Sequence, residues 1–545
     1  MISLKLFKRE RGLSLLLRCD WLSLLFVLCT LVYSFSIVWI NFHSCQWYNF
    51  DIYADAYVAK LMAEEHTLFP RDWIFGNQYY VIATPVLAAL IQVFIHDSVL
   101  AMGIASSLMM VAIFWAFVWC CKPFFRRRSI LTGLFCLSGA VILGTSASSS
   151  TYSFQIFYTM ASYYACYVLG VLYHLGLYLR LRRDLPVKGS AIAVAVLMNI
   201  AFGMQSLRET LVLNIPLLVL ELLCWWKYGY SRRTLRFVLL CMASNLLGLG
   251  VIRLIPTNSN TIISPIGFLT NGFSTGLSRS VHDIMEITGL RYISLGWKWR
   301  GLFLFSLVFW AVAVIVLFRI LRKKDLSPAA LPFWFSIISL FGVFVVGVFF
   351  FPTRPIYYFM WFLVLTFAFT YFADQFPDDL VKKSILVALI LCGIGNYVYN
   401  FYPDYKKYPM EKAFYRELAD QLLADDIDCL YVDLYTMPTL AACSKDEIVC
   451  GTFEYDFTQA DDHFFAPVSH LQHIELFEHP EARNALVVLS DSEWSAWKSW
   501  DYIDQFAPDR YREELLEQLI PVGSASSKYY TLYFYRFAEP ERMFG

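Results

Sequence analysis

Long apolar runs fill most of the first 400 residues, and polar residues gather in short clusters between them. A hydrocarbon core about 30 Å thick needs roughly 20 apolar helical residues to cross it. On that measure the pattern predicts eleven spans, at 20–41, 98–120, 129–145, 156–179, 189–204, 210–226, 236–255, 301–320, 330–351, 355–373 and 384–400. A further run at 81–95 contains Pro85 and, as a helix of about 15 residues, would reach only about 22 Å. It reads as a helix lying at the interface. The stretch "DAYVAKLMAEEH" sets Ala56, Ala59, Leu61, Met62 and Ala63 against Lys60, Glu64 and Glu65, and reads as a second interfacial helix. From Tyr402 the pattern changes. "KAFYRELADQLLADD" is helical in period, while "CLYVDLY", "EIVCGTF", "NALVVLS" and "YYTLYFYRF" read as strands. "SEWSAWKSW" and "DRYREELLEQL" read as helices between them. The chain therefore reads as a polytopic α-helical membrane protein over residues 1–400, with two interfacial helices in its first external loop. A small external α/β domain follows over 401–545.

Charge sets the orientation, because short cytoplasmic loops carry the excess of Lys and Arg. With 81–95 left out of the count and the N-terminus inside, segments 1–18, 121–128, 180–188, 227–236, 319–324 and 374–383 fall inside and hold 23 basic residues. The outside connections before the tail hold nine: Lys60, Arg71, Arg208, Arg253, Arg279, Arg291, Lys298, Arg300 and Arg354. Counting 81–95 as a span would move "CCKPFFRRRS" outside. Residues 42–97 thus read as one long external loop, and the tail as external too. The basic residues before Trp21, with no small-residue cleavage site behind them, read as an uncleaved signal anchor.

The totals of 44 basic and 44 acidic residues conceal this asymmetry. Only 16% of residues are charged, against about 25% in soluble domains. No basic tail of the kind that binds nucleic acid is present. The thirteen cysteines show no metal-ligand spacing, and most sit in apolar runs, where a thiol packs as a small core residue. Cys443 and Cys450 are close enough in sequence to bridge in an oxidising compartment. The tail has no glycine-rich phosphate loop, zinc pattern or nucleophile elbow. Asp461, Asp462 and His463 in "DDHFF" suit a metal, but read more simply as a solvated loop.

The external loop opens with two acids, Asp51 and Asp55, four positions apart. On a helix that begins by residue 51 they share a face. Two carboxylates so close repel, which lifts one pKa toward the range useful to a general base. Asp55 is the first choice for that role and Asp51 the second. The pair also suits a divalent cation such as Mg²⁺ or Mn²⁺, and helix-cap or loop acids are the plain alternative. External cations run against the inside-positive trend, so each calls for a reason. Arg354 begins a span, Lys298 and Arg300 precede another, and Arg208 lies in the turn "QSLRET". Arg suits bidentate phosphate contact. More plainly, Arg354 anchors a helix end, Lys298 and Arg300 snorkel, and Arg208 pairs with Glu209. His282 and Asp283 read as surface residues, and His96 and Asp97 as a turn before the second span. Trp47, Tyr48, Trp73 and Tyr79 are external aromatics able to stack on sugar rings.

The order of these features resembles the GT-C superfamily of integral-membrane glycosyltransferases, which includes protein O-mannosyltransferases and lipid A aminoarabinose transferases. "DAYVAKLMAEEHTLFPRDW" resembles that superfamily's external-loop pattern, with Tyr57 and Pro70 in the matching places. It departs from the Asp-Glu pair of some members, since Ala56 follows Asp55. "FPTRPIYYFMWFLVL" resembles the Arg-Tyr-Pro region at the outer start of a late span in bacterial members. The resemblance implies a bacterial plasma-membrane enzyme. It would transfer a sugar from a polyprenyl-phosphate donor to a lipid, polysaccharide or protein acceptor at the outer face, inverting the anomeric centre. Such a donor loses its lipid phosphate as an anion, which needs positive charge rather than a proton. Arg354, Arg208, Arg300 and Lys298 are the candidates to supply it.

A polyprenyl-lipid flippase or transporter is the main rival, and a non-catalytic GT-C-like protein the second. Ion-coupled transport usually needs charges near midspan or paired broken helices. Here the span centres are almost free of charge, Glu221 lies toward the cytoplasmic end, and no internal repeat is evident.

Overall fold

The computed structural model describes residues 20–43, 50–71, 73–75, 79–143, 164–256, 273–294, 300–350, 353–432, 440–441, 443–445, 447–452, 470–471, 485–490, 519–526 and 531–538. Helix α1 (Trp21–His43) is followed by two helices of the first long loop, α2 (Phe50–Glu64) and α3 (Thr84–Ile95). Then come α4 (Ser98–Cys121), α5 (Arg127–Phe135), α6 (Ala165–Arg182), α7 (Gly189–Gln205), α8 (Ile215–Tyr228) and α9 (Arg232–Ile252). Helix α10 (Phe273–Ile287) lies in the connection after α9, before α11 (Arg300–Lys323), α12 (Leu331–Phe349), α13 (Met360–Gln375) and α14 (Leu380–Asn396).

Among the described residues, eight helices are long and apolar enough to cross a membrane: α1, α4, α8 with its π turn Thr210–Asn214, α9, α11, α12, α13 with its lead-in turn Pro355–Tyr358, and α14. The other three expected spans are shorter where described. Helix α5 passes into a π turn at Cys136–Ala140, where Gly139 takes a φ of 119° that other residues rarely adopt. Helix α6 is described only from Ala165 and carries Arg180 and Arg182 in its last turn, and α7 is 17 residues long. Helix α13 lies at the centre of the bundle. Every residue from Met360 to Ala373 is buried, as expected of a helix that is apolar all round.

Five of the six basic segments, those among the described residues, are linked to one another or to neighbouring helix ends. Arg128 pairs with Asp20 and, at 2.9 Å, with Asp378. Arg319 donates to the Gln375 carbonyl at 2.7 Å, and Lys227 to the Lys324 carbonyl. Arg233 pairs with Asp184 at 3.0 Å, and Arg180 donates to the Trp119 carbonyl. The opposite end holds α2, α3, α10 and the start of α4. His96 closes α3 in a left-handed conformation, and Asp97 caps α4 by accepting from the Leu100 amide at 2.8 Å. That is the turn the sequence indicates. With 12 residues, α3 is about 18 Å long, and both its ends stay on this side of the bundle.

Helix α2 departs from expectation. Asp55, Ala56, Tyr57, Val58 and Ala59 are all buried, so this stretch has no wet face. It packs on α3 and α4 and beneath a strand of the tail.

The helical path continues from α14 through a π turn at Tyr397–Phe401 into α15 (Tyr402–Ala424). The tail's main sheet has five strands in the order β3 (Val449–Thr452), β2 (Cys429–Val432), β5 (Ala485–Ser490), β7 (Thr531–Phe537), β6 (Leu519–Ser526). Strand β2 is parallel to both neighbours, whereas β7 is antiparallel to both of its own. The four strands read from the sequence are all present. The edge strand β6 is additional. Its "LIPVGSAS" looks like a turn because of Pro521 and Gly523, and the structure puts a bulge there, where an edge tolerates both. A separate antiparallel pair joins β1 (Trp73–Ile74), in the loop after α2, to β4 (His470–Leu471) of the tail. The two helices expected at "SEWSAWKSW" and "DRYREELLEQL" lie outside the described residues, apart from Leu519 at the end of the second, which opens β6. Asp461, Asp462, His463 and the Cys450 side chain lie outside them too.

Candidate functional site

Asp51 and Asp55 both fall within α2, four positions apart. The Asp51 side chain lies outside the described residues. Asp55 is fully buried, in a stretch where the side chains on either side are apolar. Taking a carboxylate out of water is costly unless the site answers its charge or it takes up a proton.

The loop carrying α2 is tied to the turn between α7 and α8 by Gln205. The Tyr79 amide donates to the Gln205 carbonyl at 3.0 Å. The Val81 and Ile82 amides donate to its side-chain oxygen at 3.3 and 3.2 Å. Its amide nitrogen donates to the Tyr167 hydroxyl at 3.3 Å, and that hydroxyl shares a 2.7 Å hydrogen bond with Ser206. Ser206 Oγ in turn accepts from the Arg208 amide at 3.2 Å. Gln205 is almost completely buried. One side chain thus fixes the loop after α2 and the Arg208 turn together. The same loop packs its aromatics on themselves: Phe75 contacts Phe69, Tyr79 and Tyr80. Of the four aromatics suggested for sugar stacking, Trp73 is buried, Tyr79 is half-buried, and Trp47 and Tyr48 lie outside the described residues.

Arg208 reaches across to a second segment. Its guanidinium lies 5.5 Å from the Tyr164 ring centre and 5.4 Å from that of Tyr357. Tyr357 belongs to the short turn Pro355–Tyr358, whose preceding residue Arg354 is extended (φ −120°, ψ 155°) and exposed. The Tyr357 amide donates to the Arg354 carbonyl at 2.9 Å. Arg208 thus meets the turn that directly follows Arg354, a second of the four cations singled out in the sequence. Arg300 opens α11 with an exposed side chain, on a separate helix, and Lys298 lies outside the described residues.

Arg208 does not pair with Glu209, contrary to the plain reading of the sequence. Adjacent positions on a helical turn point apart, and Glu209 is directed inward. Its Oε1 would lie 2.9 Å from a Cβ placed on Gly170 of α6. Glu209 is fully buried, and neither oxygen has a hydrogen-bond partner among the described residues.

Asp283 also corrects its expectation. It is buried on the inner face of α10 and accepts from the Thr353 hydroxyl at 2.7 Å, while His282 beside it is exposed. Burial raises its carboxyl above the usual range, and the Thr353 bond opposes part of that rise. The sequence signal existed but was slight: α10 has a strongly one-sided apolar pattern, and Asp283 falls on its inner side.

No group of three His, Cys, Asp or Glu side chains suited to a metal occurs among the described residues. Asp55 has no such company there. What the arrangement offers is a buried carboxylate, a latched loop and a cationic corner lined by aromatic rings.

The whole chain takes the fold of a known membrane-protein class. The crystal structure of ArnT from Cupriavidus metallidurans bound to undecaprenyl phosphate aligns over 94% of this chain and 97% of its own, with 11% identity and a TM-score of 0.55. The apo form of the same protein aligns over 95% and 98%, with 10% identity and a TM-score of 0.54. The chain therefore shares its overall fold with that protein. No family model and no curated protein sequence matches the chain.

Proposed function

We propose that this protein is an inverting membrane glycosyltransferase that moves a sugar from a polyprenyl-phosphate donor to an acceptor at the extracytoplasmic face. One observation carries the reading. On a chain with the GT-C fold from end to end, Gln205 ties the loop bearing buried Asp55 to the turn bearing Arg208. The neighbouring ArnT structure, which holds a polyprenyl phosphate, supports a lipid-linked donor here. In this reading α5, α6 and α7 complete eleven crossings, and the five-stranded sheet is the centre of an external α/β domain. The face joined by the basic segments is cytoplasmic, and the membrane is a bacterial plasma membrane.

The chemistry follows from the charges. The acceptor hydroxyl gives its proton to Asp55 as its oxygen attacks the anomeric carbon. The bond from that carbon to the phosphate oxygen breaks on the opposite side, and the electron pair leaves with the lipid phosphate. Arg208 and Arg354 stabilise the departing anion, where oriented cations lower the barrier most. Arg300 and Lys298 are held to the outer approach of the same lipid. A divalent cation, if used, would draw on Asp51 and Asp55 to hold it and would add to the charge that meets the phosphate. Acceptors of this class are lipids, surface polysaccharides or proteins.

The deciding experiment is sugar transfer in proteoliposomes with undecaprenyl-phosphate sugars, comparing wild type with Asp55→Asn and Asp51→Asn. Transfer by the wild type that Asp55→Asn abolishes supports the reading. Unchanged transfer in both variants removes the proposed base. Movement of the lipid across the bilayer with no sugar transfer replaces the reading with a flippase.

A further inference from the structure

The mechanism above does not use Asp283, a buried acid in an external connection. Its partner Thr353 immediately precedes Arg354. Thr353 Oγ1 also lies 3.3 Å from the Tyr358 hydroxyl, at the far end of the same turn. Both ends of the segment that presents Arg354 and Tyr357 therefore meet at one hydroxyl, and that hydroxyl donates to Asp283.

The support under this bond is rigid. Gly276 of α10 packs directly on the Val348 backbone of α12, so that even a Cβ there would overlap the Val348 carbonyl. At the adjacent position, a Cβ on Gly347 would come within 2.7 Å of Ser280 Oγ, 2.7 Å of Thr353 Cγ2 and 2.8 Å of the Tyr358 hydroxyl. Helix α10, the end of α12 and the turn are in contact with no space between them. Interiors packed this closely transmit small shifts rather than absorb them. Glu286, one turn beyond Asp283, is also buried and pairs with Arg291 at 2.7 Å, so α10 is fixed at its C-terminal end as well.

We infer that Asp283 is a positioning residue for the donor-phosphate site, holding through Thr353 the turn that sets Arg354 and Tyr357 opposite Arg208. This rests on the phosphate role proposed for those arginines. Asp283 touches neither sugar nor phosphate. It acts by fixing where the cations stand, and a displacement of about an ångström at such a site is costly.

The test uses the full-length protein in lipid nanodiscs, with undecaprenyl phosphate as the probe. Affinity is measured for wild type, Thr353→Val, Asp283→Ala, the double variant and Thr353→Ser, together with each melting temperature. The expected result is a loss of about tenfold in affinity for Thr353→Val and for Asp283→Ala, with the double variant no worse than either single, because one bond is broken in all three. Thr353→Ser keeps the hydroxyl and stays within about twofold of wild type. In transfer assays, KM for the donor rises while KM for the acceptor is unchanged. If Asp283→Ala does not fold, the contrast between Thr353→Val and Thr353→Ser carries the comparison. Unchanged affinity in folded Thr353→Val overturns the inference, as do additive losses in the double variant. A wild type that does not bind the probe overturns it together with the phosphate reading. A wild type that binds with this variant pattern but transfers no sugar supports the inference and removes the transferase reading alone.

Discussion

Arg208 lies over the ring of Tyr357, with its guanidinium carbon 5.4 Å from the ring centre. The contact joins the turn between α7 and α8 to the lead-in of the central helix α13. A cation over an aromatic face is worth about 0.5–2 kcal/mol, the larger values applying where water is excluded. Arg208→Ala is expected to lower the donor kcat/KM by about a hundredfold, since it removes charge and stacking together. Arg208→Lys keeps the charge but loses the planar fork, and should retain roughly a tenth of wild-type efficiency. Tyr357→Phe preserves the ring face and should change little. Steady-state kinetics at varied donor concentration separate these outcomes.

Asp55 is replaced most informatively by Asn, which has the same shape and cannot accept a proton from the acceptor. The expected result is a fall in kcat of about 10² to 10⁴, with the melting temperature kept and donor binding intact. Asp51→Asn should have a smaller effect. Parallel measurement of transfer and of undecaprenyl-phosphate affinity checks both halves of this expectation.

Gln205→Leu removes the acceptor of two loop amides and the donor to Tyr167 while keeping much of the volume. Each buried group left unsatisfied costs about 1–3 kcal/mol. The variant should exchange amide hydrogens at residues 79–82 much faster than wild type, and its transfer activity should fall in proportion. Hydrogen exchange by mass spectrometry reads the first effect directly.

Asp325 sets a pH dependence on the basic face. It lies in the loop between α11 and α12, and burial alone would raise its carboxyl. The Ser327 amide at 2.8 Å, the Tyr371 hydroxyl at 2.8 Å and the Ser327 side chain, with Lys227 nearby, outweigh burial and hold it below the ordinary carboxylate range. A carboxyl depressed by folding contributes stability above its unfolded value, and that stability is lost as pH falls through the lower folded value. Asp325→Asn should therefore lower stability at neutral pH and flatten its decline below about pH 4. Thermal melts across that range in detergent make the comparison.

Single cysteines at exposed Arg71 and Lys323 test the sidedness. In intact cells a membrane-impermeant maleimide should label Arg71→Cys and spare Lys323→Cys until the membrane is broken. The reverse pattern would place the acid-bearing loop in the cytosol.

Much of the helical bundle was legible because membrane spans are written in length and apolarity alone, and basic residues sort the connections. Among the described residues, five of the segments grouped by charge contact one another through residues such as Arg128, Arg233 and Arg319. The strands β2, β3, β5 and β7 were readable from their β-branched and aromatic runs. What escaped depended on contacts distant in sequence. The burial of α2 needs α3, α4 and the tail strand, none of which is encoded in "DAYVAKLMAEEH". The inward turn of Glu209 and the burial of Asp283 depend on Gly170 and Thr353, in other parts of the chain. The convergence of Arg208 with the Arg354 turn was likewise invisible, although both residues stood out as cations on the wrong side.

The pairing of Trp73 with Leu471 has a bearing on how the chain is made. Translation delivers the first partner almost four hundred residues before the second, which at roughly 5–20 residues per second is a delay of about 20 to 80 seconds. Until residue 471 has been made, the helix carrying Asp55 rests on α3 and α4 without its covering strand. A product truncated short of residue 470 would leave that side of the helix bare, a feature quality-control proteases could recognise.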